Sequence, residues 1–216
     1  RGSRRRIRKR IRRRLHSVTL EADARSALTA FSHQDPDQRA LAGEYQEFLD
    51  AHEDGVWRSC RVGHITASAL VIEEQGRGVL LTLHPKVGRW LQLGGHLEPA
   101  DASVLHGAVR EVREESGIAR GRISSVPVRL DRHDVPCGRD DDGRVLASVH
   151  WDMQFVVVVP NAIPPVISDE SDDLAWFPSL SLPDVDASVQ ALCDDAERAL
   201  SSPQDRGSEP MWVSFG

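Results

Sequence analysis

The strand predicted at Val149–Val159 constrains the fold more than any other part of the sequence. It ends in the continuous apolar run Val156–Val159, which Pro160 stops. A half-exposed strand alternates apolar and polar residues, whereas a continuous apolar run is typical of a strand that is covered on both faces. We therefore predict a sheet with helices on both sides, which is an α/β sandwich.

Other segments agree with this architecture. Shorter strands are predicted at Ala67–Glu73, Gly78–Leu83 and Trp90–Leu93, because their apolar residues are bounded by turn residues. Helices are predicted at Asp101–Ser116 and Asp184–Leu200. Since strands and helices interleave along the chain, the sheet is expected to be mixed.

The composition excludes several classes of protein. The chain has 216 residues, 40% of them hydrophobic, which suits one domain with an appendage. No apolar run approaches the roughly 20 residues that cross a membrane, and we expect no signal peptide. The cysteines, Cys60, Cys137 and Cys193, are too few for a disulfide scaffold or a CxxC zinc site. They predict free thiols and a cytoplasmic protein.

Basic residues are concentrated at the start of the chain. Residues 1–14 carry ten of the 27 Arg and Lys residues and no acid, so their net charge is +10, whereas the rest of the chain carries −16. We predict that residues 1–19 form a flexible basic arm. It is either a contact for nucleic acid or an anionic surface, or a leader without such a function, because charge runs are unspecific.

Two helices are predicted before the sheet, at residues 21–32 and 37–52. The second helix has apolar residues at helical spacing: Leu41, Tyr45, Phe48 and Leu49. Asp35 or Asp37 could cap it. Residues 20–55 are therefore expected to form a helical extension.

Three glutamates crowd together on the helix predicted at Asp101–Ser116. At about 100° per residue, the core-facing stripe of this helix is apolar: Val104, Leu105, Ala108, Val109 and Val112. Glu111, Glu114 and Glu115 are neighbours on the adjoining face. Crowded carboxylates are costly to desolvate without a cation. Arg110 offsets part of the charge, and a divalent ion such as Mg²⁺ is expected to offset the rest.

Small residues shape the ends of this helix. Gly107 lies one turn before Glu111, where a missing side chain should let the Gly94–Gly95 loop approach the helix. Gly117 fits a left-handed residue after the last turn. Asp101 is placed to cap the first turn.

The segment Gly95–Ile118 resembles the Nudix box. The family pattern is glycine, five residues, Glu, seven residues, then Arg-Glu-apolar-x-Glu-Glu-x-Gly-apolar, and the sequence REVREESGI matches the second half fully. The first half departs from the pattern in two ways. Asp101 stands in place of the Glu, and eight residues separate it from Arg110.

The resemblance implies a fold and a reaction. It implies a Nudix-type α/β/α sandwich with a mixed sheet over residues 56–200, followed by a tail at 201–216. Nudix enzymes hydrolyse a diphosphate that is linked to another moiety, so the implied substrate is a nucleoside diphosphate or triphosphate derivative. Many relatives are dimers, so a homodimer is also possible.

The resemblance also implies site residues. By the motif, Glu111, Glu114 and Glu115 would hold Mg²⁺ or Mn²⁺. Arg110 would orient these carboxylates, and with Glu114 and Glu115 it forms the predicted catalytic set. The Gly94–Gly95 turn would shape the substrate-binding loop.

Further candidates lie outside the box. His150 and Asp152 alternate on one strand and so share a face. Asp152 is either an additional metal ligand or a structural salt-bridge residue. His133 and His150 are predicted to contact substrate, although a polar edge or loop is the alternative for His133. His96, beside the double glycine, is expected to face the site.

Three charged residues could act from loops. Glu170 could be a general base on a mobile loop, or part of an acidic, solvated loop. Lys86 and Arg89 could hold substrate phosphates, or belong to a plain surface turn.

Two other functions fit parts of the sequence. Isopentenyl-diphosphate isomerases share this fold and a similar LLT…K…W…GH stretch, but Gly94 stands where they have a catalytic cysteine. A non-catalytic Nudix module could bind a nucleotide or RNA, but such modules typically lose the box acids. The identity of the substrate stays open.

Overall fold

The computed structural model describes residues 20–75, 78–85, 87–139, 142, 145–166, 172–201 and 212–216. The predicted basic arm, Lys86 and Glu170 lie outside the described residues.

Strands in the described part of the chain form one mixed sheet. They are β1 (His64–Glu73), β2 (Gly78–His84), β3 (Arg89–Leu91), β4 (Leu93–His96), β5 (Gly121–Ser124), β6 (Arg129–Arg139), β7 (Val145–Val159), β8 (Asp173–Pro178) and β9 (Trp212–Phe215). The sheet order is β3-β2-β1-β7-β5-β9, with β4 paired to β1, β6 to β7 and β8 to β2. Strands β1 and β7 are parallel, from His64 opposite His150 to Glu73 opposite Val159, and the other pairs are antiparallel.

Four helices accompany the sheet in the described residues. They are α1 (residues 20–30), α2 (Pro36–Ala51), α3 (Val104–Ser116) and α4 (Ala187–Ser201). This confirms the predicted α/β sandwich with a mixed sheet and N-terminal helices. Among the described helices, none has the length and apolar character that spanning a bilayer requires.

Some predicted boundaries were wrong for local reasons. Helix α3 begins at Val104 rather than Asp101, because Ser103 is the residue that caps it. The strand predicted at Trp90–Leu93 is two strands, since β3 pairs with β2 whereas β4 pairs with β1. A polar edge or loop was the alternative for His133, and His133 lies on β6, which pairs with β7 alone among the described strands.

The two faces of the sheet pack against different helices. Val157 and Val159 of β7 belong to a first core that includes the apolar stripe of α3 and residues of α1 and α2. Val156 and Val158 belong to a second core with α4. Because neighbouring strand residues point to opposite faces, a continuous apolar run is needed here, which confirms the covering predicted from Val156–Val159.

The N-terminal helices share the main core with the sheet. Tyr45 of α2 is completely buried, and its hydroxyl donates to the backbone oxygens of Asp131 (2.7 Å) and Asp152 (2.9 Å). The Gln38 side-chain amide bonds to both the nitrogen and the oxygen of Leu130, at 2.9 and 3.0 Å. These bonds fix α2 against β6 and β7.

Helix α1 also contacts the start of α3. A carboxylate oxygen of Asp23 accepts a hydrogen bond from the Val104 backbone nitrogen at 2.7 Å. The first backbone N–H groups of a helix have no partner within the helix, and a negative charge there is favourable.

Replacing Asp23 with alanine is expected to destabilise the protein by about 1 kcal/mol, as the loss of a helix cap does. Urea denaturation measures the change. The matched control is Ser26→Ala, at an exposed position of the same helix. Equal stability of the two variants would contradict the role of Asp23.

Candidate active site

Glycine allows β4 to lie directly against α3. A Cβ atom on Gly95 would be 2.6 Å from a carboxylate oxygen of Glu111, which is closer than real Cβ atoms approach. The predicted close approach of this turn to the helix therefore occurs at Gly95. Gly107 was expected to admit the same turn, but it faces Leu97 instead, whose Cδ2 would be 2.6 Å from an added Cβ.

Arg110 links two glutamates of α3 to Asp101 and His96, which precede the helix. Its guanidinium donates to Asp101 at 3.0 and 3.1 Å, and to Glu111 and Glu114 at 2.8 Å each. It also donates to the backbone oxygen of His96 at 2.8 Å. Burial by itself lowers the pKa of Arg110. The hydrogen bonds to Asp101 and Glu114, together with the nearby charge of Glu111, outweigh the effect of burial, so the pKa is raised.

Asp101 forms an ion pair with Arg110 and is not the helix cap that the sequence predicted. The Ser103 hydroxyl accepts from the His106 nitrogen at 3.1 Å and caps α3. The carboxylate of Asp101, only 4% exposed, accepts from Arg110 and from the Glu98 nitrogen at 2.7 Å. Ser103, two residues beyond Asp101, takes the cap position, and the carboxylate of Asp101 faces Arg110.

The three predicted glutamates lie on the last two turns of α3. Glu111 and Glu115 are buried, whereas the side chain of Glu114 is 59% exposed. Gly117 ends the helix with φ 70° and donates to the oxygen of Arg113, as predicted. Carboxylates near a helix C-terminus are disfavoured by the helix dipole, so this arrangement favours a cation beside them.

These residues fit a hard divalent cation. Carboxylate oxygens at i, i+3 and i+4 are ligands that Mg²⁺ prefers. The close contact of Gly95 with Glu111 also brings backbone of the loop beside the carboxylates. Arg110 brings one positive charge that is shared among Asp101, Glu111 and Glu114.

A second polar group surrounds Asp152. Its buried carboxylate accepts from Thr66 (2.9 Å), Ser68 (2.6 Å) and the Gln92 amide (3.3 Å). Burial raises the pKa of Asp152, although the hydrogen bonds from Ser68 and Thr66 oppose the shift.

Asp152 and the helix glutamates belong to different faces of the sheet. Trp151 and Met153 lie in the first core with α3, so Asp152, between them, points to the face that α4 covers. The structure therefore does not group Asp152 with Glu111, Glu114 and Glu115 through any contact that it describes. The role of Asp152 as a metal ligand stays a prediction.

Histidines cluster beside Asp152. The ring centroids of His64, His96 and His150 lie 4.9–5.1 Å apart, and His133 is 5.5 Å from His150. Burial, followed by the neighbouring histidines, lowers the pKa of His150 to about 3. A 2.6 Å hydrogen bond to Asp131 instead raises the pKa of His133.

The thiol of Cys137 completes this cluster. Its sulfur lies 3.9 Å from Nε2 of His96 and 4.0 Å from Nε2 of His64. Sequence analysis missed Cys137 and His64, because 73 residues separate them along the chain. The alternation of polar residues at His64, Thr66 and Ser68 was a signal that could have revealed this polar face of β1.

His96 joins the two polar groups. Its backbone oxygen accepts from Arg110, while its ring lies in the histidine cluster. Strand β4 therefore separates the carboxylates of α3 from the histidines.

The predicted substrate residues His96, His133 and His150 lie together, whereas Arg89 is exposed on β3. Its phosphate contact stays a prediction.

Comparison with known proteins agrees with this architecture. The family model described as NUDIX domain matches residues 63–192. The chain belongs to the Nudix family. It is thus a Nudix pyrophosphohydrolase, as the box in α3 predicted. The comparison with curated proteins found no match.

Solved structures of Nudix proteins are among those similar to this Nudix hydrolase. A NUDIX-family hydrolase from Clostridium perfringens has 18% identity and a TM-score of 0.47, covering 64% of this chain and 98% of that chain. The NUDIX domain of Shewanella oneidensis NrtR, complexed with ADP ribose, has 19% identity and a TM-score of 0.45, covering 72% and 98%. The E. coli dihydroneopterin triphosphate pyrophosphohydrolase has 16% identity and a TM-score of 0.45, covering 60% and 92%.

Proposed function

We propose that this Nudix hydrolase cleaves a diphosphate bond in a nucleoside diphosphate or triphosphate derivative, and that the reaction requires Mg²⁺ or Mn²⁺. The observation that carries the proposal is the arrangement of α3. Its Arg110 holds Asp101, Glu111, Glu114 and the loop oxygen of His96 at hydrogen-bonding distance.

Glu111, Glu114 and Glu115 would hold the divalent ion. Such an ion lowers the pKa of a bound water and neutralises charge that develops on phosphate oxygens. Arg110 orients Glu111 and Glu114 by donating to both, and Asp101 orients Arg110 in turn. Because these side chains are already held in place, little reorganisation is needed when the substrate binds.

Three side chains are given further roles in this proposal. Glu114 has the most exposed of the carboxylates bound to Arg110, so substrate and solvent can reach it. Glu170, which lies outside the described residues, would be the general base. His133, with a side chain 46% exposed and a raised pKa due to Asp131, would contact the anionic part of the substrate.

The test is a hydrolysis assay on a panel of NTPs, oxidised dNTPs, nucleotide sugars, ADP-ribose and dinucleoside polyphosphates, with and without Mg²⁺. We expect turnover of at least one member that depends on the divalent ion. Glu115→Gln should reduce that turnover by about 100-fold or more, the size of effect found when one group that stabilises developing charge is lost.

The matched control is Glu47→Gln, the same change at an exposed position of α2, which should leave turnover unchanged. Turnover of no member of the panel would count against the proposal. So would equal turnover of the Glu115→Gln variant and the unaltered protein.

The isomerase alternative loses support in this geometry. A cysteine at position 94 would place its Cβ 2.3 Å from the Cβ of Ser68, so β1 leaves no room for that side chain. The thiol that lies near His96 belongs to Cys137 of β6. The retained glutamates of α3 likewise favour an enzyme over a non-catalytic binding module.

Three other expectations stay predictions. They are a homodimer, a contact of residues 1–19 with nucleic acid or an anionic surface, and a cytoplasmic location.

A further inference from the structure

Four side chains from four strands bring their metal-binding atoms together on the face of the sheet opposite α3. We propose that His64 of β1, His96 of β4, Cys137 of β6 and His150 of β7 bind a transition-metal ion, with Zn²⁺ the best fit. Their ligand atoms all lie within 4.8 Å of one another. This site is separate from the carboxylates of α3 and does not depend on the proposed hydrolysis.

The distances suit tetrahedral coordination. Zn–N bonds of about 2.0 Å and a Zn–S bond of about 2.3 Å put sulfur and nitrogen about 3.5 Å apart. The sulfur of Cys137 is 3.9 and 4.0 Å from the Nε2 atoms of His96 and His64. The cluster is therefore slightly wider than a closed Zn²⁺ site, and ion binding would draw the sulfur and these nitrogens together by about 0.5 Å.

The strands hold three of these residues in fixed register. His64 lies opposite His150 in the parallel pair of β1 and β7, and His96 lies opposite Thr66 in the antiparallel pair of β1 and β4. Neighbouring strands are about 4.8 Å apart. Side chains on one face of three adjoining strands therefore converge without any long loop.

Two histidines present a nitrogen to the cluster. Nδ1 of His64 is 3.4 Å from the backbone oxygen of Cys60. If Nδ1 carries the proton and donates it there, Nε2 has a lone pair that faces Cys137. Backbone oxygens commonly orient ligating histidines in this way. Nε2 of His150 is buried and has no hydrogen-bond partner among the described residues, and a metal ion would supply one.

The ligand types select the metal. Imidazole and thiolate favour Zn²⁺ and related transition metals, whereas Mg²⁺ prefers oxygen. Three neutral imidazoles, one thiolate and Zn²⁺ carry a net charge of +1. The buried Asp152 side chain, which accepts a hydrogen bond from Ser68, lies two residues from His150 on the same face.

Such a site would be structural, because four protein ligands close the coordination of Zn²⁺. It would anchor β4 through the His96 ring. The backbone oxygen of the same residue accepts from Arg110. The proposed ion therefore holds the loop on which the carboxylate cluster of α3 depends.

Cobalt substitution tests the proposal on the untagged 216-residue chain. After chelation and dialysis, Co²⁺ is added stepwise and the absorption spectrum is recorded. We expect about one equivalent of Co²⁺ to produce the visible bands of tetrahedral cobalt and a sulfur-to-cobalt charge-transfer band, since the site has one thiolate and closed four-coordination. Zn²⁺ should abolish both sets of bands.

Variants assign the bands to these residues. Cys137→Ser should remove the charge-transfer band and weaken Co²⁺ binding by about 100-fold or more, since the loss of an outer-shell partner alone costs 10–100-fold. His150→Gln should weaken binding similarly, and circular dichroism checks that each variant is folded. Cys193→Ser, at a buried cysteine of α4, should leave the spectrum unchanged.

A double variant separates this proposal from the hydrolase proposal. Glu114→Gln with Glu115→Gln should abolish turnover and keep the cobalt spectrum. Absence of tetrahedral bands at one equivalent of Co²⁺, or an unchanged charge-transfer band in Cys137→Ser, would overturn the zinc site, whatever the hydrolysis assays give.

Discussion

Replacing Arg110 with glutamine is expected to destabilise the protein by about 3–5 kcal/mol, the cost of removing one partner from a buried ion pair. The side chains of Asp101 and Glu111 are only 4% and 10% exposed, so both would be left as buried charges without this partner. Turnover should fall as well, because Glu111 and Glu114 lose the group that orients them. Urea denaturation and the hydrolysis assay measure the two effects.

Arg113→Gln is the matched control for this prediction. Arg113 lies on the same helix, and its substitution removes the same charge. It is exposed: its guanidinium donates to the oxygen of Ala119 at 3.4 Å and lies 5.4 Å from the centroid of the Phe215 ring. Exposed charged contacts contribute about 0–1 kcal/mol, so the control should lower the free energy of unfolding by about 1 kcal/mol at most. If Arg110→Gln costs no more than Arg113→Gln, Arg110 does not organise the carboxylates.

Replacing Gly94 with alanine is expected to cost about 3 kcal/mol, at the upper end of the range for overpacking. The new Cβ would lie 2.3 Å from the Cβ of Ser68 and 2.5 Å from its Cα. Since Cα is backbone, the contact is relieved only if β4 moves away from β1. That movement would withdraw Gly95 from Glu111, so turnover should fall together with stability.

Gly43→Ala is the control for an added methyl group. Gly43 is exposed on α2, and nothing lies within 4 Å of the place where its Cβ would be. Alanine is favoured over glycine inside a helix by about 1 kcal/mol, so this variant should be at least as stable as the unaltered protein. A Gly94→Ala variant with unaltered stability would contradict the close packing of β4 on β1.

The α/β class and the box helix could be predicted because their signals are local. The run Val156–Val159 requires cover on both faces, whichever helices supply it. The spacing of Glu111, Glu114 and Glu115 places them on one face of a helix wherever that helix packs. Gly117 marks the end of α3. Its left-handed conformation could be predicted because it involves only the last turn of the same helix.

The role of Asp101 could not be predicted from this local pattern. A carboxylate just before a helix favours a cap, and only the path of the loop decides whether it faces the helix end or a side chain. Here Ser103 takes the cap and Asp101 accepts from Arg110. The same limit applies to Asp23, which reaches α3 from a helix that is 81 residues away along the chain.

The sequence by itself determined which residues can form strands and helices, and that three glutamates crowd one face of a helix, since both follow from spacing along the backbone. The tertiary structure alone decided that Asp152 lies on the opposite face from those glutamates. It also decided that His64, His96, Cys137 and His150 meet. Their meeting depends on strand order and register, and these are set by how the whole chain buries its apolar surface rather than by any local pattern.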